Sequence, residues 1–260
     1  MKRNLLAFAL LLASVLPFSL QAESLFKIDF AEAENGPAAQ WLMAQDWTFQ
    51  AGASKQRMEI EQHTLVLRVK EDQLGQLVKR ITLPGVTQAR IQWGVRRYPK
   101  DANWEQGQER ETILVAFAFG EELVESGTIF FPALPPVIGV FLGQKEQEGK
   151  QYLGRYYKHS IRYLCSPCGA PEDKEVTTLV NLKAEYQKAF GTAKPFPALT
   201  GLALSFDTRK VGRGEAFIRS IELLSDDAPA ANPGASKTTT AKPTLVRPAA
   251  LAAASAPPKK

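Results

Sequence analysis

Apolar side chains recur at every second position along much of the chain. Leu65, Leu67 and Val69 share one face of the run Thr64 to Val69, and Ala89, Ile91, Trp93 and Val95 repeat the pattern further on. A period of two marks half-buried strands. Further runs of strand composition span Phe26 to Phe30, Trp47 to Gln50, Arg57 to Ile60, Leu77 to Ile81, Val137 to Leu142, Thr177 to Leu182, Leu202 to Phe206 and Ala216 to Leu223. Ile113 to Phe119 is apolar almost throughout, which predicts a central strand covered on both faces. Turn residues separate the runs: Asn35-Gly36-Pro37, Pro84-Gly85, Pro99 with Asp101, Pro132 to Pro136, Pro195 with Pro197, and Gly212 with Gly214. Many short strands spaced in this way predict an all-β protein, an antiparallel β-sandwich of jelly-roll type. Two short helices fit the pattern, Pro37 to Gln45 and Lys183 to Phe190. The second carries Tyr186 and Phe190 on one face and stops at Gly191.

The two ends differ from this middle. Lys2 and Arg3, the apolar run Leu5 to Leu16, and a polar exit to Ala22 have the order of a cleaved signal peptide covering residues 1–22. The run is shorter than the roughly 20 apolar residues of a membrane span, so cleavage fits better than anchoring, and no transmembrane anchor is expected afterwards. No cysteine lies near the cleavage point to take a lipid. Residues 229–260 are rich in Ala, Pro and Lys, hold almost nothing that fills a core, and predict a disordered tail. Its Lys237, Lys242, Arg247, Lys259 and Lys260 have no acid among them, and together with Lys2 and Arg3 they supply seven positive charges, more than the whole formal charge of +5. The domain between, residues 23–228, is slightly acidic, so nucleic acid is not an expected partner. Export implies an oxidising compartment, most simply the periplasm.

Five segments then line up in a recognisable order. They are Arg90-Ile91-Gln92-Trp93-Gly94-Val95, Glu109-Arg110-Glu111 leading into Ile113 to Phe119, and Tyr186 to Gly191; Leu202 to Asp207 and Ala216-Phe217-Ile218 complete the set. This order resembles the bacterial exported family catalogued as domain of unknown function three-zero-four-seven, over residues 26 to 224. The resemblance implies a jelly-roll sandwich similar to carbohydrate-binding modules, with no established activity. Two departures stand out. Glu109, Arg110 and Glu111 replace the paired aspartates usual ahead of the central strand, and Asp207 and Thr208 run into Arg209 and Lys210 instead of a longer acidic motif. An acid-dependent metal or substrate site is therefore not carried over.

Chemistry-bearing residues are few. Cys165-Ser166-Pro167-Cys168 holds both cysteines of the chain. A structural disulfide in a turn-rich loop, a redox dithiol and half of a metal site are all compatible with the spacing. The missing βαβ setting and second cysteine pair favour the disulfide, and no metal or other cofactor is expected. Tyr152 to Tyr163 mixes aromatic and basic side chains, among them Arg155, Tyr156 and His159. Rings that stack on sugars and cations that meet carboxylates suit an acidic glycan. A strand whose tyrosines pack between the sheets explains the same composition. Trp104, in the polar loop Pro99 to Gln108, is either a contact residue or a lid folded back on the sandwich. His63 sits in a turn and is expected to be solvated, and His159 has Asp207 or Glu111 as conceivable partners. Paired carboxylates for glycoside chemistry would come from Glu109, Glu111 and Asp207, with their separation across a cleft as the test. No nucleophile elbow, zinc helix or phosphate loop occurs.

The expectation is an exported, non-catalytic envelope protein whose sandwich face binds a ligand, a glycan or other envelope component. Its binding residues are Trp104, Arg110, Arg155, Tyr156, His159 and Asp207. A polysaccharide hydrolase or lyase is the first alternative, and a scaffold acting through the sandwich and basic tail is the second.

Overall fold

The computed structural model describes residues 22–226 except 128, 130, 193 and 194. The tail expected at 229–260, and the export segment apart from Ala22, lie outside the described residues. The strands are β1 (Glu23–Asp29), β2 (Gly36–Pro37), β3 (Trp47–Ala51), β4 (Arg57–Glu61), β5 (Thr64–Val69), β6 (Leu74–Leu83), β7 (Gln88–Arg97), β8 (Glu111–Phe119), β9 (Val137–Gly143), β10 (Gln151–Tyr152), β11 (Ile161–Cys168), β12 (Val176–Asn181), β13 (Leu199–Asp207) and β14 (Gly214–Ser225). Helix α1 covers Ala39–Ala44, so Pro37 belongs to a strand instead, and α2 covers Leu182–Phe190. Asn181 caps α2 by accepting a hydrogen bond from the Ala184 N–H, and Gly191, at a φ of 87°, ends it. No helix among the described residues is long and apolar enough to cross a membrane.

Two seven-stranded sheets stack as a sandwich. The first runs β12-β7-β14-β5-β4-β2, with β1 pairing the far half of β14; the second runs β10-β11-β9-β8-β13-β6-β3. Every pairing is antiparallel save one. Strand β11 runs parallel to β9, so the second sheet is mixed.

Alternation divides the strands of the second sheet cleanly. On β8, Ile113, Val115, Phe117 and Phe119 enter the core between the sheets, together with Trp93, Leu65, Leu204 and Phe206. Leu114, Ala116 and Ala118 point the other way, into a second apolar cluster with Phe141, Trp104, Tyr152 and Tyr157. Strand β9 splits likewise, Ile138 and Val140 inward and Val137 and Phe141 outward. The expectation that Ile113 to Phe119 is covered on both faces is met, and the cover on the outer side comes from loops. Trp104 arrives from the β7–β8 connection, Leu134 and Phe131 from the β8–β9 connection, and Tyr157 from the β10–β11 connection.

Two sequence readings are corrected here. The cysteine pair lies in strand β11 and not in a turn-rich loop. The register of β11 slips between Cys165 and Cys168, and this irregularity accommodates Pro167, which has no N–H to give a regular ladder. A Cys165–Cys168 disulfide closes the step. Thr178 Oγ1 donates to the Ser166 carbonyl at 2.8 Å and itself accepts a hydrogen bond from Trp93 Nε1 at 2.9 Å. Strand β11 is thereby tied across to the first sheet. The tyrosines of the Tyr152 to Tyr163 segment likewise pack outside the second sheet and not between the sheets, because the loops bring a second apolar layer there.

Candidate functional site

Strict alternation back from Leu114 would send Thr112 outward and Glu111 inward. The observed orientation is the reverse. The β8–β13 register slips between Ser205 and Asp207, so that Asp207 faces Glu111 directly. A bulge of this kind turns the strand and re-aims its side chains. Thr112 consequently lies against Gly214 of the opposite sheet, where its hydroxyl donates to the Arg97 carbonyl at 3.3 Å. Glu111 turns outward beneath the loops, beside Asp207.

There the loops leave a cavity of about 100 Å³. Glu109, Arg110 and Glu111 line it from the start of β8, Ser205, Asp207 and Arg209 from the end of β13, and Tyr163 from β11. Trp104 and the segment Gly154 to Tyr157 cover it. Arg209 grips Asp207 with two parallel bonds, Nε to Oδ1 at 2.9 Å and Nη2 to Oδ2 at 2.6 Å. Arg110 adds an ion pair to Oδ1 at 3.3 Å and donates to the Arg209 carbonyl at 3.1 Å. Bidentate contact of this geometry is the strong form of the carboxylate–guanidinium pair, and it holds the Arg209 guanidinium above its ordinary pKa against the opposing effect of burial.

Glu111 has no such partner. It is 8% exposed, and its Oε2 is buried without a hydrogen bond. Burial, and then the neighbouring Asp207 charge, push its carboxyl well above the ordinary value, while Arg110 and Arg209 pull less strongly the other way. Glu111 therefore keeps its proton to a higher pH than an ordinary carboxyl does. A protonated carboxyl both donates and accepts.

Trp104 resolves as a lid that also faces the cavity. The residue is 7% exposed, and its ring stacks on Phe141 and packs at a tilt against Tyr163, with centroids 5.2 and 4.6 Å away. The loop is pinned where Trp104 N–H donates to Glu146 Oε1 at 2.9 Å, and where the Tyr152 hydroxyl and Lys150 Nζ both meet the Glu105 carboxylate. The Trp104 Nε1 is buried and unpartnered. On the other side, the Arg155 N–H donates to Glu109 Oε2 at 2.7 Å. Gly154 lets that segment lie flat on Tyr163, since a Cβ there would come within 2.7 Å of the ring. Tyr156, 39% exposed, rests against Phe131 at the mouth.

Of the residues expected from sequence, Trp104, Arg110, Arg155, Tyr156 and Asp207 line this cavity. His159 does not. Its imidazole is exposed beside Gly127, because the turn after Tyr157 carries it away from β8 and β13. His63 is exposed in the two-residue turn joining β4 and β5, as expected. Tyr163, Ser205 and Arg209 were not singled out. Arg209 had a signal, an arginine two residues beyond an acid at a strand end, whereas Ser205 and Tyr163 are ordinary strand residues. Among the described residues no group of three histidine, cysteine or acidic side chains is arranged to hold a metal.

The chain has the architecture of a two-sheet β-sandwich. Among solved structures it is similar to the Ca2+/Man2-bound exoplasmic/lumenal domain of VIP36, at 12% identity and a TM-score of 0.41, covering 79% of this chain and 89% of that one. The potassium-bound carbohydrate recognition domain of Emp46p matches at 12% identity and a TM-score of 0.39, over 78% of this chain and 96% of that one. A metagenome-derived glycoside hydrolase family 12 endoglucanase matches at 12% identity and a TM-score of 0.38, over 68% and 94%. At such identities and scores the likeness assigns neither ligand nor activity. No family profile and no curated protein sequence matches the chain, so the family its motif order resembles is not established by that route.

Proposed function

We propose that this is an exported, non-catalytic envelope protein, periplasmic by the character of residues 1–22, that binds a saccharide in the cavity over the second sheet. One observation carries the reading: Glu111 Oε2 and Trp104 Nε1 are both buried, both unpartnered, and both belong to side chains lining the same cavity. An orphaned buried polar atom costs roughly 1–3 kcal/mol, and a hydroxyl-rich ligand repays that cost by supplying both a donor and an acceptor. The Tyr156 and Phe131 rings at the mouth offer the apolar face on which a sugar ring rests.

The hydrolase alternative needs a second carboxylate free to attack or to activate water. Asp207 is held by two arginines and Glu109 accepts the Arg155 amide, which favours holding a ligand over cleaving one. Titration calorimetry of the purified protein against a panel of neutral and acidic oligosaccharides and cell-wall fragments tests the reading. Binding of one class is expected, weakened about tenfold by Trp104→Phe, which keeps the ring and removes the N–H. A panel with no binder defeats it.

A further inference from the structure

The charges around the cavity do not cancel in the way their names suggest. Three acids and three arginines line it. Asp207 and Arg209 neutralise one another through two short bonds, and Arg110 is spent on Asp207 Oδ1, on the Arg209 carbonyl and on the Glu109 carbonyl. Glu109 is engaged by the Arg155 backbone N–H. Glu111 is buried in a cavity lined also by Ser205 and Asp207 of β13, Arg209 just beyond it, its own neighbours Glu109 and Arg110, and Tyr163 of β11. In its protonated form it adds no charge, so three guanidinium groups face two carboxylates.

The surplus cation is identifiable. The Arg155 side chain is exposed, lines the cavity, and has neither a hydrogen bond nor an ion pair to its guanidinium among the described residues. It adjoins Tyr156, the ring exposed at the same mouth. An unspent guanidinium next to an aromatic platform, at a cavity that holds two orphaned polar groups, selects for an anionic ligand, and a guanidinium fork matches a carboxylate in particular.

Resting on the saccharide reading above, we infer that the preferred ligand is an acidic saccharide, whose carboxylate pairs with Arg155 at the mouth while its hydroxyls meet Glu111 and the Trp104 N–H within. A neutral sugar leaves Arg155 without a partner. An acidic peptide supplies the carboxylate but not the ring of hydroxyls that the two buried groups require. Ionisation of Glu111 would set a second negative charge against the ligand, so affinity for the acidic form falls as pH rises through the titration of Glu111. Glu109 and Asp207 face the same space, and both are engaged, Glu109 by the Arg155 backbone N–H and Asp207 by Arg209 and Arg110.

The test is a matched pair: an oligosaccharide ending in a uronic acid, and the same oligosaccharide with that carboxyl reduced to the alcohol. Both are titrated into the purified protein and into its Arg155→Ala and Glu111→Gln variants, at acidic and at mildly alkaline pH. The uronide is expected to bind about tenfold or more tighter than its reduced form, the span of one charge-assisted hydrogen bond. Arg155→Ala, a change at an exposed side chain, should erase that preference, bringing the uronide's affinity down to that of the reduced form. Glu111→Gln should flatten the pH dependence. Equal binding of the two oligosaccharides, or a preference that survives Arg155→Ala, overturns the inference and leaves the saccharide reading standing. Tighter binding of a short acidic peptide than of the uronide overturns it in favour of a protein partner. Absence of binding by either oligosaccharide overturns the inference and, with a blank panel, the saccharide reading as well.

Discussion

Replacing Glu111 by glutamine alters one proton and almost no volume, which makes it a clean probe of the cavity. In the folded protein, burial and the Asp207 charge raise the Glu111 carboxyl well above its ordinary value of 4.5, and the two nearby arginines do not fully offset them. In the unfolded chain the same group titrates near that ordinary value. Between the two, the folded state holds a proton that the unfolded state has released. The stability contribution is therefore full below about pH 4.5 and is lost as pH rises through the folded value. One proton of difference corresponds to a slope of about 1.4 kcal/mol per pH unit. Glutamine has no such slope. The variant should match the parent in acid, then gain on it by up to about 1.4 kcal/mol per pH unit until Glu111 ionises, after which the gap stays constant. Urea unfolding followed across that window, with the denaturant dependence checked for constancy, reads the difference directly. Parallel stability curves would refute the buried, unpaired state of Glu111. A parent that grows more stable than the variant as pH rises would reverse its sign.

Other perturbations probe the layers around it. Trp104→Ala removes a ring packed against Phe141, Tyr152 and Tyr163 and should cost about 3–5 kcal/mol in chemical denaturation, where a surface contact residue would cost little. Gly154→Ala drives a methyl into the Tyr163 ring, which Trp104 prevents from retreating, so a loss of about 1–3 kcal/mol is expected from thermal or urea melts. Glu61 is held down to about 2, chiefly by its hydrogen bond from Arg68 and also by Arg96. Its contribution is present above its unfolded value and lost as pH falls toward 2, so Glu61→Gln should flatten acid unfolding by about 1 kcal/mol after allowance for solvent screening. Reducing the Cys165–Cys168 disulfide, which closes a loop of sequence separation 3, should lower stability by about 2 kcal/mol from loop entropy, measured by unfolding with and without a phosphine reductant.

The sandwich was legible because the residues that build it obey a period of two over long stretches. Strand β8 shows this best: from Ile113 to Phe119 its odd positions face the core between the sheets and its even positions the outer cluster. Strand β11 was not legible. Proline and the cysteine spacing are turn signals in isolation, and only pairing with β9 and β10 makes an irregular strand of them. The site was half visible. Arg110, Arg155, Tyr156, Trp104 and Asp207 stand out by type, but what unites them is a register slip between β8 and β13 that no local pattern announces. That slip also explains why Glu111, at an inward position by simple counting, sits outward beside Asp207. His159 failed as a site residue for the complementary reason, since the direction in which a loop carries a side chain is set by tertiary packing.

Covering one face of a sandwich with loops needs only apolar contacts, and the outer cluster has ample material in Phe141, Leu114, Tyr152 and Trp104. A sequence under pressure for stability alone would fill the remaining space with another aliphatic side chain. This chain instead spends two of its unpartnered buried polar atoms in one cavity. It adds two arginines that fix the carboxylate beside them, and a third that remains unpaired at the opening. Asp207 is clamped, so its charge cannot swing in to satisfy Glu111, and the bulge that turns Glu111 outward keeps it from the core. Each feature by itself has a structural explanation. The polar ligand proposed above accounts for their convergence over one small volume, because it would supply what Glu111, Trp104 and Arg155 lack.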